Sequence, residues 1–252
     1  MSRRRRLDAE LLRRGLATSR SLAVEAIDSR RVLVNGTMAD KASRQVDPSD
    51  AIVVEGPPPR FVSRGGDKLD RALAAFDLEV AGKRVLDGGA STGGFTDCLL
   101  QRGAATVAAV DVGHGQLHPQ IRSDQRVLVL EKYNIRNLRV DDIGGAVDVV
   151  VADVSFISLR RVIAPLVGVC RPGADLVLLV KPQFEAGRQE VNRGRGIITD
   201  AAVHARVRDE IEESLLSNGC TVLGWIDSPL TGADGNREFL VHARSPGEVS
   251  PP

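Results

Sequence analysis

The chain has 252 residues, 42% of them hydrophobic and 27% charged, with a formal net charge of +1; this is the profile of one large or two small packed domains and excludes a disordered chain. No run approaches the ~18 apolar residues of a membrane span, and no apolar stretch follows Arg3–Arg6 as it would in a secretory signal. Three scattered cysteines, Cys98, Cys170 and Cys220, argue against a disulfide framework or a zinc site, so a reducing cytoplasm is the expected setting.

Near-neutrality is an average over unlike parts: residues 1–72 carry 15 Lys/Arg against 10 Asp/Glu, and residues 73–252 carry 19 against 23. In the basic front end, Asp8 is expected to cap a helix that holds Leu11 and Leu12 and stops at Gly15. Thr18 or Ser19 then caps a second helix with Leu22, Ala23, Ala26 and Ile27 on its apolar side. Residues 31–36 read as a strand entering an Asn35-Gly36 turn, with further strands over 45–54. Pro57, Pro58 and Pro59 cannot continue a helix or a central strand. They mark a boundary between a small α+β domain (1–59), a linker (60–66) and a larger domain (67–252). In the larger domain strands are expected at 84–87, 105–111, 126–131, 147–153 and 174–181, with helices at about 94–102 and 200–217. Two more strands, at 220–226 and 237–243, follow. Alternation of nearly continuous apolar strands with helices predicts a doubly wound α/β sheet of the Rossmann-like type.

Three groups of residues carry chemistry. Leu86-Asp-Gly-Gly-Ala-Ser-Thr-Gly-Gly-Phe95 links the first strand of that sheet to its helix, where α/β proteins bind ligands. It does not meet the G-x-G-x-x-G spacing of dinucleotide sites. Asp111, at the end of the next strand, is positioned to accept hydrogen bonds from a ribose diol. An adenosine ligand that is not a dinucleotide fits better, and S-adenosylmethionine is the candidate. Asp153 and Lys181 end adjacent apolar strands at the mouth of the same crevice. There the lysine could polarise or deprotonate a hydroxyl nucleophile, and the plain alternative is a structural ion pair capping the sheet edge. The basic segment 60–73 holds Arg64 and Lys68, and Glu238 opens the last strand. The four histidines lack metal-ligand spacing, so no metal is expected.

Together these residues resemble the TlyA family, the haemolysin A proteins, which are bacterial ribosomal-RNA 2′-O-methyltransferases. Residues 3–60 resemble a ribosomal S-four-type RNA-binding domain, through Arg3 to Asp8, Ser19-Arg20 and Val32-Leu-Val-Asn-Gly36. Val62-Ser-Arg-Gly-Gly66 is similar to the family's linker motif, and Asp87 to Phe95 to its D-A-G-A-S-T-G-G-F loop, with Gly88 replacing the alanine. Ala152-Asp-Val-Ser-Phe-Ile-Ser158 and Val180-Lys-Pro-Gln-Phe184 are specific family strings.

The resemblance implies an FtsJ-type methyltransferase whose tetrad falls on Lys68, Asp153, Lys181 and Glu238. Lys181 would activate a cytidine 2′-hydroxyl, Asp153 would hold that lysine, and Lys68 and Glu238 would orient the sugar. S-adenosylmethionine would be held by Asp87, Gly89, Ser91, Thr92, Gly93, Gly94, Phe95, Asp111, Asn134 and Asp153. Arg3, Arg4, Arg5, Arg6, Arg20 and Arg64 would contact RNA. The partners implied are ribosomal RNA or ribosomal subunits, 16S, 23S or both, without a membrane, and a monomer is favoured. The longer-headed members methylate both subunits, and the arginine-rich head resembles theirs, whereas the chain stops at Pro252 without their longer tail. Two alternatives stand beside this reading: a catalytically silent RNA-binding protein, and a pore-forming haemolysin.

Overall fold

The computed structural model describes residues 4–17, 20–28, 30–56, 59–194, 196–232 and 234–247. Arg3, Thr18, Ser19, Pro57 and Pro58, all singled out above, lie outside them. The chain divides into two compact units, Met1–Pro59 and Arg60–Pro252.

The first unit runs β1 (Arg5–Arg6), α1 (Leu7–Arg13), α2 (Arg20–Asp28), β2 (Val32–Val34), β3 (Thr37–Met38), β4 (Gln45–Val46) and β5 (Ile52–Val54). Strand β1 pairs with β4, and β3-β2-β5 form a second antiparallel sheet. Asn35 and Gly36 both take positive φ (52° and 76°), the geometry a two-residue hairpin between right-twisting strands requires. Leu7, Leu11, Ala23, Ile27, Val32 and Val34 make its core. Asp8 does not cap α1. It lies inside the first turn, where the helix dipole favours a carboxylate, and the cap position falls on Arg6. Asp8 is buried and receives hydrogen bonds from Arg6 and Arg20, each at 3.0 Å. Glu10 is buried likewise against Arg13 and Arg14. These guanidinium contacts, that of Arg6 to Asp8 and that of Arg13 to Glu10 foremost, hold both carboxyl groups down to about 2.

The second unit contains α3 (Gly65–Ala75), β6 (Arg84–Gly88), α4 (Gly94–Gln101), β7 (Thr106–Val110), α5 (Pro119–Arg122), β8 (Val127–Leu130), β9 (Val147–Ala152), α6 (Ile163–Gly168), β10 (Cys170–Val180), α7 (Pro182–Glu185), α8 (Arg188–Arg193), α9 (Ala201–Ser217), β11 (Thr221–Asp227) and β12 (Phe239–Arg244). The sheet order is β11-β12-β10-β9-β6-β7-β8, with β8, β7, β6, β9 and β10 parallel and β12 antiparallel between β10 and β11. Strand order reverses between β6 and β9, which opens a crevice at the carboxyl ends of those strands. The apolar run of β9 serves two cores. Val149 and Val151 pack with Leu69 and Leu73 of α3 and Leu99 of α4, while Val150 and Ala152 pack with Leu166 of α6 and Val207 of α9. Burial on both faces is why this strand shows no polar alternation.

Arg60–Gly66, expected as a linker, belong to the second unit. Phe61 is buried with Leu69 and Leu73, and the Val62 backbone N–H donates to Asp97 Oδ2 at 2.8 Å.

Candidate active site

Aligned strand ends build the site. Gly88 of β6 pairs with Ala152 of β9, Leu178 of β10 with Ala152, and Val180 of β10 with Phe239 of β12. Asp153, Lys181 and Glu238 are therefore the residues immediately beyond three neighbouring strands, at one edge of the sheet. The glycine-rich loop leaves the same edge from β6.

Gly89 sits at φ +88°, and a Cβ there would be driven into the Asp153 carbonyl. The loop can cross the end of β9 this closely only as glycine. Its path is fixed by backbone bonds from Asp153 N to Gly88 O (2.9 Å) and from Gly89 N to Val110 O (2.8 Å). Gly94, at the start of α4, meets Ser63 and Gly66 where a side chain would stand. The Val62–Gly66 motif is thus the ground on which α4 packs.

Asp111 follows β7. Its Oδ2 accepts from Ser91 N (2.8 Å) and its Oδ1 from Gly113 N (2.6 Å), so it joins the two loops flanking the crevice. A carboxylate has about four lone-pair sites, and two of these remain for a ligand. The crevice is a cleft of about 480 Å³, with Gly89, Ser91, Asp111, Asn134 and Asp153 on its wall. Asn134 Oδ1 also accepts from Arg136 N at 3.1 Å. Thr92, Gly93, Gly94 and Phe95 are not on that wall. Phe95 is core, packed with Cys98 and Leu99.

Asp87 lies beneath the loop, fully buried. Thr96 Oγ1 donates to its Oδ2 at 2.6 Å, and its Oδ1 has no hydrogen-bond partner among the described residues. Burial pushes its carboxyl up to about 7 against the lowering effect of Thr96, and the charges of Asp153 and Asp111 push in the same direction as burial.

Two lysine–carboxylate pairs complete the edge. Lys181 Nζ lies 2.5 Å from Asp153 Oδ1, an ion contact outside hydrogen-bond alignment, and donates to Ser155 Oγ at 2.8 Å. Lys68 of α3 donates to Glu238 Oε2 at 2.5 Å, both side chains buried. The four expected tetrad residues thus form two ion pairs, with Lys181 and Glu238 next to the registered pair Val180 and Phe239.

Several residues were not singled out from sequence. Phe156 is 93% exposed at φ +65°, stands between the cleft and a neighbouring cavity, and packs on Phe184 with ring centroids 5.3 Å apart. Its loop is tied down by buried Glu185, which accepts from Ser158 Oγ (2.5 Å) and Leu159 N (2.6 Å). The only signal was a large apolar residue inside the string 152–158. Of the arginines expected to meet RNA, Arg6 and Arg20 bond Asp8, Arg4 and Arg5 are exposed, and Arg64 is half-buried at the start of α3. Among the described residues no His, Cys, Asp and Glu group could hold a metal ion.

A model of the FtsJ-like methyltransferase family matches residues 61–245, and a model of the S4 domain matches residues 5–52. The 16S/23S rRNA (cytidine-2′-O)-methyltransferase TlyA of Mycobacterium tuberculosis is 48% identical, over 97% of this chain and 91% of its own length. Hemolysin A of Brachyspira hyodysenteriae is 39% identical, over 94% and 98%. Among solved structures, a Streptococcus thermophilus protein described as a hemolysin superposes with a TM-score of 0.77 at 39% identity, covering 99% of this chain and 92% of that one.

Asp87 gives the site a pH signature. Its folded-state value lies above the usual 3.8. The folded form therefore keeps a proton that the unfolded form loses, and stability falls as pH rises from about 4 to about 7. Asp87→Asn is expected to remove this slope, so that its stability relative to the parent rises by about 4 kcal/mol between pH 4 and pH 8. Denaturant titrations at the two pH values check it, and equal differences at both would place the ionisation elsewhere.

Proposed function

The chain belongs to the TlyA family of FtsJ-like methyltransferases, and on that premise we propose that it transfers a methyl group from S-adenosylmethionine to the 2′-oxygen of a cytidine in ribosomal RNA. The cleft suits that cofactor. Its volume is of the right order for a nucleoside ligand. Gly89 lets the main chain come close, and Asp111 keeps lone pairs for a diol and a carboxylate charge that favours a cation. Gly89, Ser91, Asp111, Asn134 and Asp153 would hold it from the wall, with Asp87, Thr92, Gly93, Gly94 and Phe95 shaping the loop from behind. When bound, it supplies a methyl group activated by a positive sulfur.

The observation that carries the reading is Lys181, held 2.5 Å from Asp153 and 2.8 Å from Ser155 at the rim of the cleft. The attacking 2′-oxygen must be held in line and must shed its proton as the new bond forms. Lys181 stabilises the negative charge that builds on that oxygen as its proton passes to water and the methyl moves from sulfur to oxygen, releasing S-adenosylhomocysteine, while Asp153 orients the lysine and balances its charge. The buried Lys68–Glu238 pair orients the ribose from the α3 side. Phe156 offers a flat apolar face on which the base can stack. In the first unit, Arg4 and Arg5 bear on phosphates, and in the second Arg64 does, whereas Arg6 and Arg20 act chiefly by holding Asp8. Arg3 belongs with the first group by sequence.

The hemolysin names of some relatives raise a lytic reading, but no observation favours it: among the described residues no helix is long and apolar enough to cross a membrane. A silent RNA binder would not require Lys181 paired with Asp153 at the rim of the cleft.

Incubation with tritiated S-adenosylmethionine and each ribosomal subunit separately, followed by mapping of the modified nucleotide, tests the reading. Lys181→Ala is expected to lower transfer by about 10²- to 10⁴-fold while S-adenosylhomocysteine still binds; transfer at the parent rate would sink the assignment. Phe156→Ala should raise KM for the subunit by about tenfold or more and leave cofactor affinity unchanged, and an unaltered KM would remove the stacking role. Replacing Arg4 and Arg5 together by Ala should flatten the dependence of log binding constant on log salt by about 1.5. An unchanged slope would release both from RNA contact.

A further inference from the structure

Methylation of a hydroxyl leaves one proton to be placed, and the cleft offers few acceptors for it. Histidine, the side chain most often used as a base, is absent from the cleft wall among the described residues. Asp153 Oδ1 is buried and faces the Lys181 ammonium. Ser155 is placed otherwise. It is exposed, it lies on the cleft wall, and its Oγ accepts from Lys181 Nζ at 2.8 Å. A hydroxyl oxygen has two acceptor sites and one proton of its own. The lysine fills one site and the second is open. The Ser155 proton is given to no group among the described residues, so on an exposed side chain it points to water.

We propose that Ser155 is a catalytic residue, which takes the proton of the attacking 2′-hydroxyl at Oγ and passes its own to water. This rests on the reading of the cleft given above and adds the route by which the proton leaves. The step balances within that reading. A lone pair of the 2′-oxygen forms the new bond to the methyl carbon, and the sulfur–methyl bond breaks with its electron pair kept by sulfur. The 2′-proton moves to Ser155 Oγ as the proton already there moves to solvent, leaving the serine as it began. Lys181 matters to the second transfer as well as to the first. A hydroxyl that accepts from an ammonium is polarised into a better donor, so the proton is handed on and no charged serine accumulates. Phe156, the next residue, would carry the base, so the backbone that presents the ring also presents the hydroxyl.

The test uses the full chain and the ribosomal subunit that accepts methyl, in single turnovers that separate chemistry from product release. Ser155→Ala should slow transfer by about 10²-fold, whereas Ser155→Thr, which keeps a hydroxyl, should stay close to the parent. Imidazole or formate should quicken Ser155→Gly, where the space at Oγ admits a small base, and leave the parent unchanged. A binding measurement stands beside these rates. With S-adenosylhomocysteine bound, the parent should prefer a subunit rebuilt with a 2′-hydroxyl at the mapped nucleotide over one with 2′-fluorine, which has no proton to donate, by about fivefold. Ser155→Ala should lose most of that preference. Affinity for S-adenosylhomocysteine reports whether each variant keeps its cleft; if Ser155→Ala does not, Ser155→Thr and the rescue of Ser155→Gly decide. Parental rates in Ser155→Ala, or a slow Ser155→Gly that neither base restores, overturn the proposal while leaving methyl transfer intact, the hydroxyl then only steadying Lys181. No transfer to either ribosomal subunit by the parent overturns the underlying reading and the proposal with it.

Discussion

The candidate site depends on one steric constraint, the passage of the chain at Gly89 directly over the carbonyl of Asp153. The constraint sets the glycine-rich loop at the end of β9, and Asp153 N donating to Gly88 O locks the two segments from the other side. Ser91 and Asp111 are then brought into hydrogen-bond contact across the mouth of the crevice. Lys181 finds Asp153 already fixed in position. A side chain at position 89 would disturb the cleft wall, Asp153 and its lysine partner together.

The ion pairs rank next. Lys68 and Glu238 come from α3 and from the start of β12, far apart in sequence, and meet with both side chains buried. Loss of either partner leaves the other as an uncompensated buried charge, which is strongly destabilising. The pair is therefore structural whatever it does to a sugar. Lys181 and Asp153 differ, because Asp153 lies on the cleft wall and Ser155 shares the lysine's protons. Of 34 basic residues only five are lysines, and two of them occupy these pairs. A compact ammonium on a flexible stem suits such work better than a planar, permanently charged guanidinium.

Much of this architecture was legible because its determinants are local. Strands buried on both faces announce themselves as apolar runs, and β9 and the apolar stretch of β10 lie where those runs lie. The Asn35-Gly36 turn has only one comfortable geometry. Determinants that need a distant partner were not legible. Asp8 looked like a cap because nothing nearby in sequence shows that Arg20 would fold back onto it. Residues 60–66 looked like a linker because prolines precede them, yet Phe61 finds Leu69 and Leu73 across a turn. Phe95 sits in a ligand-binding motif and faces the core. Phe156 could not be told from a core residue by composition, since its exposure comes from a left-handed backbone and from the anchoring of Ser158 and Leu159 by Glu185, 26 or more positions away.

That left-handed backbone has a consequence for anyone engineering the chain. A bulky residue at φ +65° costs on the order of 1–3 kcal/mol, and a ring 93% exposed invites self-association. Glycine or asparagine at position 156 would relieve the first, and any polar residue the second. Selection for melting temperature or soluble yield alone would therefore replace Phe156 early, and the resulting variants would be more robust proteins without the aromatic face proposed for the substrate base.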